Sequence, residues 1–424
     1  MMMKRLVVFT KMYPYGLRET YVDTELPYLK EEFTDVCFVP YDHYGYRDED
    51  NRLQPEWTHA RALEINALTP NQPHRIWKRE LRIVRMWLNE IVVGRDKWRH
   101  IRHGRLCLRR LRHAYTQSTV LAEIARNEGW TAENTLLYNY WLHYGAIIGI
   151  FLREHMGVQF QMISRAHALD MFHKDWPYPG HFLPFETAKI KACDHVYAAS
   201  DHGRRFFQRT FPKWAYKFRL QVLGVFDKGE RDSVPSEVFT LCSATSISEM
   251  KRLHLVPELM ARLSFPVRWI HYGTGRDASI ALMQETVTKH GLEDVVEFRG
   301  LRPHNEVMHT YKHEHVDLYL NVSSGETIPV AVMEPASFGI PVMATACFGT
   351  PELVDDTIGA LIPVDFDLDE VAAIIAAFQA DPERLLQLGK QARARVMTDF
   401  NADTNLRCWT RLLSSYLPTQ PEHQ

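Results

Sequence analysis

A chain of 424 residues is longer than one ordinary hydrophobic core supports, so two domains of roughly 200 residues are expected. Its 46% hydrophobic and 24% charged content is that of a globular protein, and a formal net charge of −2 excludes a molecule that is basic or acidic as a whole. The six scattered cysteines (Cys37, Cys107, Cys193, Cys242, Cys347, Cys408) include no C-x-x-C pair, which argues against a standard zinc framework and suits a reducing compartment.

The chain opens MMMKRLVVFTKMYP, whose four-residue apolar core before Thr10 is too short for a signal peptide and reads as a first buried strand. A turn containing Gly16 leads into the helical pattern ETYVDTELPYLKEEF, and VCFVP reads as the next strand. The segment from Arg75 to Arg112 then holds thirteen Lys/Arg against Glu80, Glu90 and Asp96, with Trp77, Trp87 and Trp98 interleaved. It carries +10 and leaves −12 for the rest of the chain. A basic, Trp-containing amphipathic segment is the pattern of a helix lying on an anionic membrane surface. An ordinary solvated face is the plainer reading. Nucleic acid is not expected, because no recognition motif accompanies the charge. No stretch approaches the roughly 18 apolar residues of a spanning helix. A cytoplasmic protein, peripheral at the inner face of a membrane, is expected.

Further strands follow at TLLYNY, FQMISRAH and HVYAAS. After the polar stretch FDKGERDSVPSE (226–237), the alternation restarts with FTLCSAT, VRWIHYG, VVEFRG, VDLYLNVS, IPVMAT and GALIPV. Continuous apolar strands alternating with helices imply parallel sheets covered on both faces, hence two doubly wound α/β units. The expected divisions are a first domain over 1–225, a second over 226–395, and a C-terminal helix over 396–424 that returns toward the first. Ligands of such sheets bind outside the carboxyl ends of the strands.

At one such end lies SSGETIPVAVMEPASFGIPVMAT, residues 323–345. A helix is expected to start near Ile328 and Pro329, where the missing N–H of proline costs nothing. The free amides of this turn and the positive end of the helix dipole suit a diphosphate. Glu326 stands at that mouth, placed to accept hydrogen bonds from sugar hydroxyls. Glu334, about two helical turns farther on, is within reach of a second diol such as a ribose. Surface helices also carry glutamates at this spacing. However, IPVAVMEPASFGIPV is apolar on nearly every side, so an acid within it is buried or faces a ligand.

These residues closely resemble the retaining glycosyltransferases of family 4, which have the two-domain GT-B fold: two Rossmann-like domains facing a central cleft. The family signature appears here as Ser323, Glu326-Thr327-Ile328-Pro329, Glu334-Pro335, Gly339-Ile340-Pro341-Val342-Met343-Ala344-Thr345 and Gly349-Thr350-Pro351-Glu352. Thr327 stands where glycine is usual and Pro335 where alanine is usual. The resemblance implies that Glu326 touches the donor sugar, Glu334 the ribose, and the amides around Thr327, Ile328, Pro329 and Val330 the diphosphate.

SATSISEMKRL resembles the family segment whose two bases bind the diphosphate. Lys251 matches the lysine, Ser246 replaces the arginine, and Arg252 is expected to share the phosphate charge. Gly273 and Gly275 are placed where small residues let a nucleotide approach, and the backbone near Gly300 and Leu301 is placed to read the base edge. In the first half, Gly16 marks the loop that family members lay against the donor phosphate. His167 matches the histidine that faces the reacting sugar. The setting TKMYPYGLRET resembles a branch that builds bacterial surface polysaccharides such as capsule, exopolysaccharide or O-antigen.

The expected activity is therefore retaining, metal-independent transfer of a sugar from a UDP- or GDP-sugar to a glycan hydroxyl, on a lipid-linked polysaccharide precursor. Lys251, Glu326 and His167 are the candidate catalytic residues, and neither a resident cofactor nor a metal ligand is expected. Two alternatives are a nucleotide-sugar epimerase on the same fold and a non-catalytic protein that binds membranes or polyanions.

Overall fold

The computed structural model describes residues 3–16, 19, 21–42, 51–53, 59–63, 65, 76–172 and 182–418. Arg75 and the tail beyond residue 418 lie outside them. The chain divides into two compact units, each described by itself. Unit 1 comprises Met1–Ala199, Arg204–Gln221 and Leu406–Gln424; unit 2 comprises Ser200–Gly203 and Val222–Asn405.

The sheet of unit 1 contains β1 (Arg5–Thr10), β2 (Asp35–Pro40), β3 (Ala60–Ala62), β4 (Thr135–Asn139), β5 (Gln161–Ala166), β6 (His195–Ala198) and β7 (Phe218–Leu220), in the order β3-β2-β1-β4-β5-β6-β7. All its pairings are parallel. β1 and β4 are buried at every position, as parallel strands covered on both faces must be. The intervening helices are α1 (Tyr21–Glu32), α2 (Ile76–Val93), α3 (Lys97–Arg102), α4 (Gly104–Asn127), α5 (Tyr144–Met156), α6 (Ala168–Phe172), α7 (Glu186–Ala192) and, from Arg204 onward, α8 (Asp201–Thr210). Leu6 and Val8 of β1 pack in one core with Val22, Leu26 and Leu29 of α1 and with Trp409, Leu413 and Leu417 from the end of the chain.

Unit 2 contains β8 (Phe239–Ala244), β9 (Val267–Tyr272), β10 (Val296–Gly300), β11 (Leu318–Asn321), β12 (Val342–Thr345) and β13 (Gly359–Ile362), in the order β10-β9-β8-β11-β12-β13, again all parallel. Its helices are α9 (Leu255–Met260), α10 (Asp277–Lys289), α11 (His304–His313), α12 (Val330–Ser337), α13 (Leu368–Ala380) and α14 (Pro382–Asp399). The last helix, α15 (Ala402–Ser414), follows a break at Phe400 and Asn401 where the sequence pattern read as continuous. Leu241, Trp269, Leu318, Leu320 and Met343 of the sheet share a core with Val371 and Ile375 of α13.

In each sheet the strand order reverses once: between β1 and β4 in unit 1, and between β8 and β11 in unit 2. Loops leaving the carboxyl ends of these neighbours diverge to opposite sides and open a crevice, the usual ligand position of doubly wound sheets. Among the described helices, none is long and apolar enough to cross a membrane.

Candidate active site

At the reversal of unit 2, β8 ends at Ala244 and β11 at Asn321, and the loops after them hold Lys251 and Glu326. The loops are tied together: the N–H and Oγ of Ser324 both donate to the carbonyl of Met250, at 2.8 and 3.2 Å. That contact sets Lys251 against Glu326, whose Oε1 accepts from the lysine ammonium and, at 3.2 Å, from Asn321 Nδ2. Both charged side chains are largely withdrawn from water, at 13% and 14% exposure, so solvent screens their attraction weakly. The Glu326 carbonyl accepts from the N–H of Gly349, holding the loop from its other side.

The chain then turns through Thr327 and Ile328, both nearly buried, into α12. Pro329 caps it, its carbonyl accepting from Val332 and Met333 at 2.9 and 3.2 Å. The amides of Val330 and Ala331 precede any carbonyl one turn back, leaving donors for an anion at the positive end of the helix. Thr327 Oγ1 is buried without a partner among the described residues. Glu334 lies on the second turn of α12, and its Oε1 meets Nε2 of His304 at 2.7 Å.

Arg252 has a structural task. It sits at φ 49° in the left-handed region, and its Nε and Nη1 donate to the carbonyls of Val322 and Val364, each at 2.8 Å. Burial pushes its pKa down, and Nη2 is enclosed without a partner among the described residues. Two of its three nitrogens thus brace strand ends. Gly273 and Gly275 are required by the protein's own backbone. A Cβ on Gly273, at φ 139°, would lie 1.9 Å from the carbonyl oxygen of Thr245, and one on Gly275 would lie 1.8 Å from that of Ile247. The Gly300 carbonyl accepts from the N–H of Gly273 at 2.9 Å, while Leu301 is highly exposed.

In unit 1, Gly16 lies in the loop after β1 at φ 67°. The anion position of this loop is filled by the protein itself. Glu19 accepts from the backbone N–H groups of Lys11, Met12 and Tyr13 at 3.1, 2.7 and 2.9 Å, and from Trp141 Nε1 at 2.6 Å. His167, just beyond β5, packs against Trp141 at 4.4 Å between ring centroids and stacks on Tyr140 at 5.6 Å. Burial, with the nearby Arg165 charge, pushes its pKa down to about 3, so the ring is neutral at ordinary pH. Its Nε2 is enclosed without a partner among the described residues. Arg165 is buried and paired with the equally buried Glu25, beneath the rings of Tyr140 and Trp409.

Sequence reasoning therefore named Lys251, Glu326, Glu334 and His167. It missed His304 and the closing of the Glu19 nest. The available signal for Glu19 was an acid soon after a strand-to-helix turn. Among the described residues, no group of three His, Cys, Asp or Glu could hold a metal ion.

Residues 228–395 match the family described as Glycosyl transferases group 1. A colanic acid biosynthesis glycosyltransferase, WcaL of Escherichia coli (strain K12), is 34% identical over 178 residues, which is 39% of this chain and 43% of that protein. The match thus spans less than half of the relative. Sucrose-phosphate synthase from Thermosynechococcus elongatus superposes with a TM-score of 0.71 at 16% identity, over 97% of this chain and 98% of that one. Anabaena Alr3699/HepE, solved in complex with UDP-glucose, does so with a TM-score of 0.64 at 17% identity, over 97% of this chain and 99% of that one. Residues 228–395, carrying Lys251, His304, Glu326 and Glu334, are a glycosyl transferases group 1 domain, and the chain that contains them has the two Rossmann-like sheets of the GT-B fold.

Proposed function

We propose that the protein transfers a sugar, with retention, from a UDP- or GDP-sugar to a hydroxyl of a glycan, a lipid-linked precursor of a surface polysaccharide. The observation that carries this reading is the Lys251–Glu326 pair at the strand-order reversal of unit 2, with Glu326 in the loop that leads into α12, whose first amides precede any carbonyl one turn back. A departing nucleoside diphosphate develops negative charge, and an ammonium group and helix amides fixed beforehand stabilise that charge without reorganising. In this reading Lys251 and the amides of Val330 and Ala331 hold the diphosphate, and no metal is needed for that task. Glu326 accepts from a donor-sugar hydroxyl. Glu334 holds the ribose, and the backbone near Gly300 and Leu301 lies beside the base. The similarity to a colanic acid glycosyltransferase supports a polysaccharide acceptor.

Location at the inner face of a membrane belongs to the same reading, supported by the outer face of α2 and α3. Trp77, Leu81, Leu88 and Val92 are exposed on one stripe of α2, and Trp98, 83% exposed, and Ile101 stand out from α3. Exposed Lys78, Arg82, Arg85, Arg95, Lys97 and Arg102 surround them. The inner side of both helices is fixed: Glu90 accepts from the N–H groups of Thr187 and Ala188, and His100 Nε2 from that of Phe185. Apolar side chains presented among a surplus of cations, of which Arg82 pairs with Glu154 at 3.2 Å, suit the interface of anionic lipid.

A panel of nucleotide-sugars, with products analysed by mass spectrometry and NMR, tests the proposal. Product with the donor's anomeric configuration, formed in the presence of EDTA, is expected. Release of an epimerised free sugar, inversion, or absence of any UDP or GDP binding would overturn it. Sedimentation with vesicles containing phosphatidylglycerol tests the location, and binding should be lost in W77S/L81S/W98S.

A further inference from the structure

We propose that His304 is a positioning residue for the nucleotide ribose, and through Glu334 a determinant of ribose over deoxyribose. The inference rests on the reading of Glu334 as the ribose ligand. His304 opens α11, directly after the Gly300–Pro303 turn that leaves β10, and its ring reaches α12 to meet Glu334 Oε1 at 2.7 Å. The carboxylate can only accept, so Nε2 carries the proton and donates.

A glutamate has three side-chain torsions, and on the second turn of a helix its carboxylate is otherwise free to sweep the space before it. A vicinal diol is read best by a carboxylate held at one angle, with an oxygen left to accept from it. Donation from His304 pins one oxygen and leaves Oε2 for the ligand. Glu334 is 19% exposed, sunk at the helix surface, whereas His304 is 61% exposed. The histidine is thus ill suited to a core role, and its removal should leave packing intact. The bond also joins two elements with different duties, the turn after β10 beside the expected base and the helix that carries the ribose acid. Fixing Glu334 before the nucleotide arrives lowers the ordering cost of binding.

The test compares affinities for UDP and 2′-deoxy-UDP, with GDP and 2′-deoxy-GDP run in parallel, by titration calorimetry at pH 8. Thermal melting confirms that each variant is folded. The wild-type protein is expected to prefer the ribonucleotide by ~10-fold, the discrimination typical of a hydrogen bond to a charged acceptor. Glu334→Ala should abolish the preference, His304→Ala should reduce it to within about twofold of unity, and His304→Gln, whose amide still donates, should restore most of it. A preference lost in Glu334→Ala but intact in His304→Ala overturns the positioning role and leaves the proposed function standing. A preference unaffected by Glu334→Ala, or no nucleotide binding at all, overturns the ribose assignment itself and the inference with it.

Discussion

Replacing Glu326 by glutamine should separate binding from transfer. In the free protein, Glu326 competes with any bound phosphate for Lys251, since its Oε1 already accepts from that ammonium. Two unit charges about 4 Å apart attract by about 4 kcal/mol at an effective dielectric of 20, and desolvation of both groups offsets much of that. The exchange from carboxylate to amide keeps shape and hydrogen bonding but removes the competing charge. We assign about 1–2 kcal/mol to the released lysine, the usual difference between a charge-assisted and a neutral hydrogen bond. Glu326→Gln should therefore bind UDP or GDP about 5- to 30-fold more tightly, while sugar transfer falls about 10-fold because a neutral amide oxygen accepts from the donor-sugar hydroxyl more weakly than a carboxylate does. Lys251→Ala should act in the opposite sense on binding. It removes the cation and leaves the Glu326 charge opposite the diphosphate, which weakens binding by about 2–3 kcal/mol. The double variant K251A/E326A should recover part of that loss. Calorimetric titration at constant pH and ionic strength reads all three. If Glu326→Gln weakens nucleotide binding as much as Lys251→Ala does, the competition is refuted and Glu326 is itself a nucleotide ligand.

Three further outcomes follow from groups buried in each unit. Glu25→Ala should destabilise unit 1 by about 3–5 kcal/mol in denaturant unfolding, because Arg165 would be left buried and uncompensated, and Glu25→Ala/Arg165→Met should recover most of that. Burial in β9 pushes the pKa of His271 down to about 4, below an unfolded value near 6.5. The unfolded chain therefore binds the proton more readily between these values, so the stability of unit 2 should fall as pH drops from about 6.5 to about 4, by roughly 3 kcal/mol; His271→Gln should flatten that slope in pH-dependent unfolding. Gly273→Ala should lower the melting temperature of unit 2 by several degrees in the absence of nucleotide, since its methyl group has no room beside Thr245, whereas a pure ligand-contact role would change affinity alone.

Most of the sheet architecture is legible in the sequence because parallel strands buried on both faces are continuous apolar runs. RLVVFT and TLLYN announce themselves in that way. β3 and β7 were missed, being three-residue strands reading ARA and FRL at the ends of their sheet, with too little apolar length to register. The break between α14 and α15 was hidden for a different reason, since FNAD contains neither glycine nor proline.

At the site, a local motif placed Glu326 and Glu334, whereas the partners of both depend on chain folding. Lys251 is 75 residues from Glu326 and His304 is 30 from Glu334, separations over which no periodicity carries information. Arg252 illustrates the same limit. Composition offers a cation beside Lys251, but the left-handed backbone at this residue directs its side chain to the carbonyls of Val322 and Val364. Glu19 occupies a nest of amides that sequence reasoning assigned to a phosphate-facing loop. That substitution of an internal carboxylate for a ligand is visible only once β1 and the residues after β4 are brought side by side.

A crystal structure with UDP or GDP bound tests the central claim most directly. The account requires the diphosphate at the carboxyl ends of β8 and β11, within hydrogen-bonding distance of Lys251 Nζ and the first amides of α12, with the ribose hydroxyls on Glu334. Nucleotide density at any other position, with the Lys251–Glu326 pair undisturbed, would contradict it.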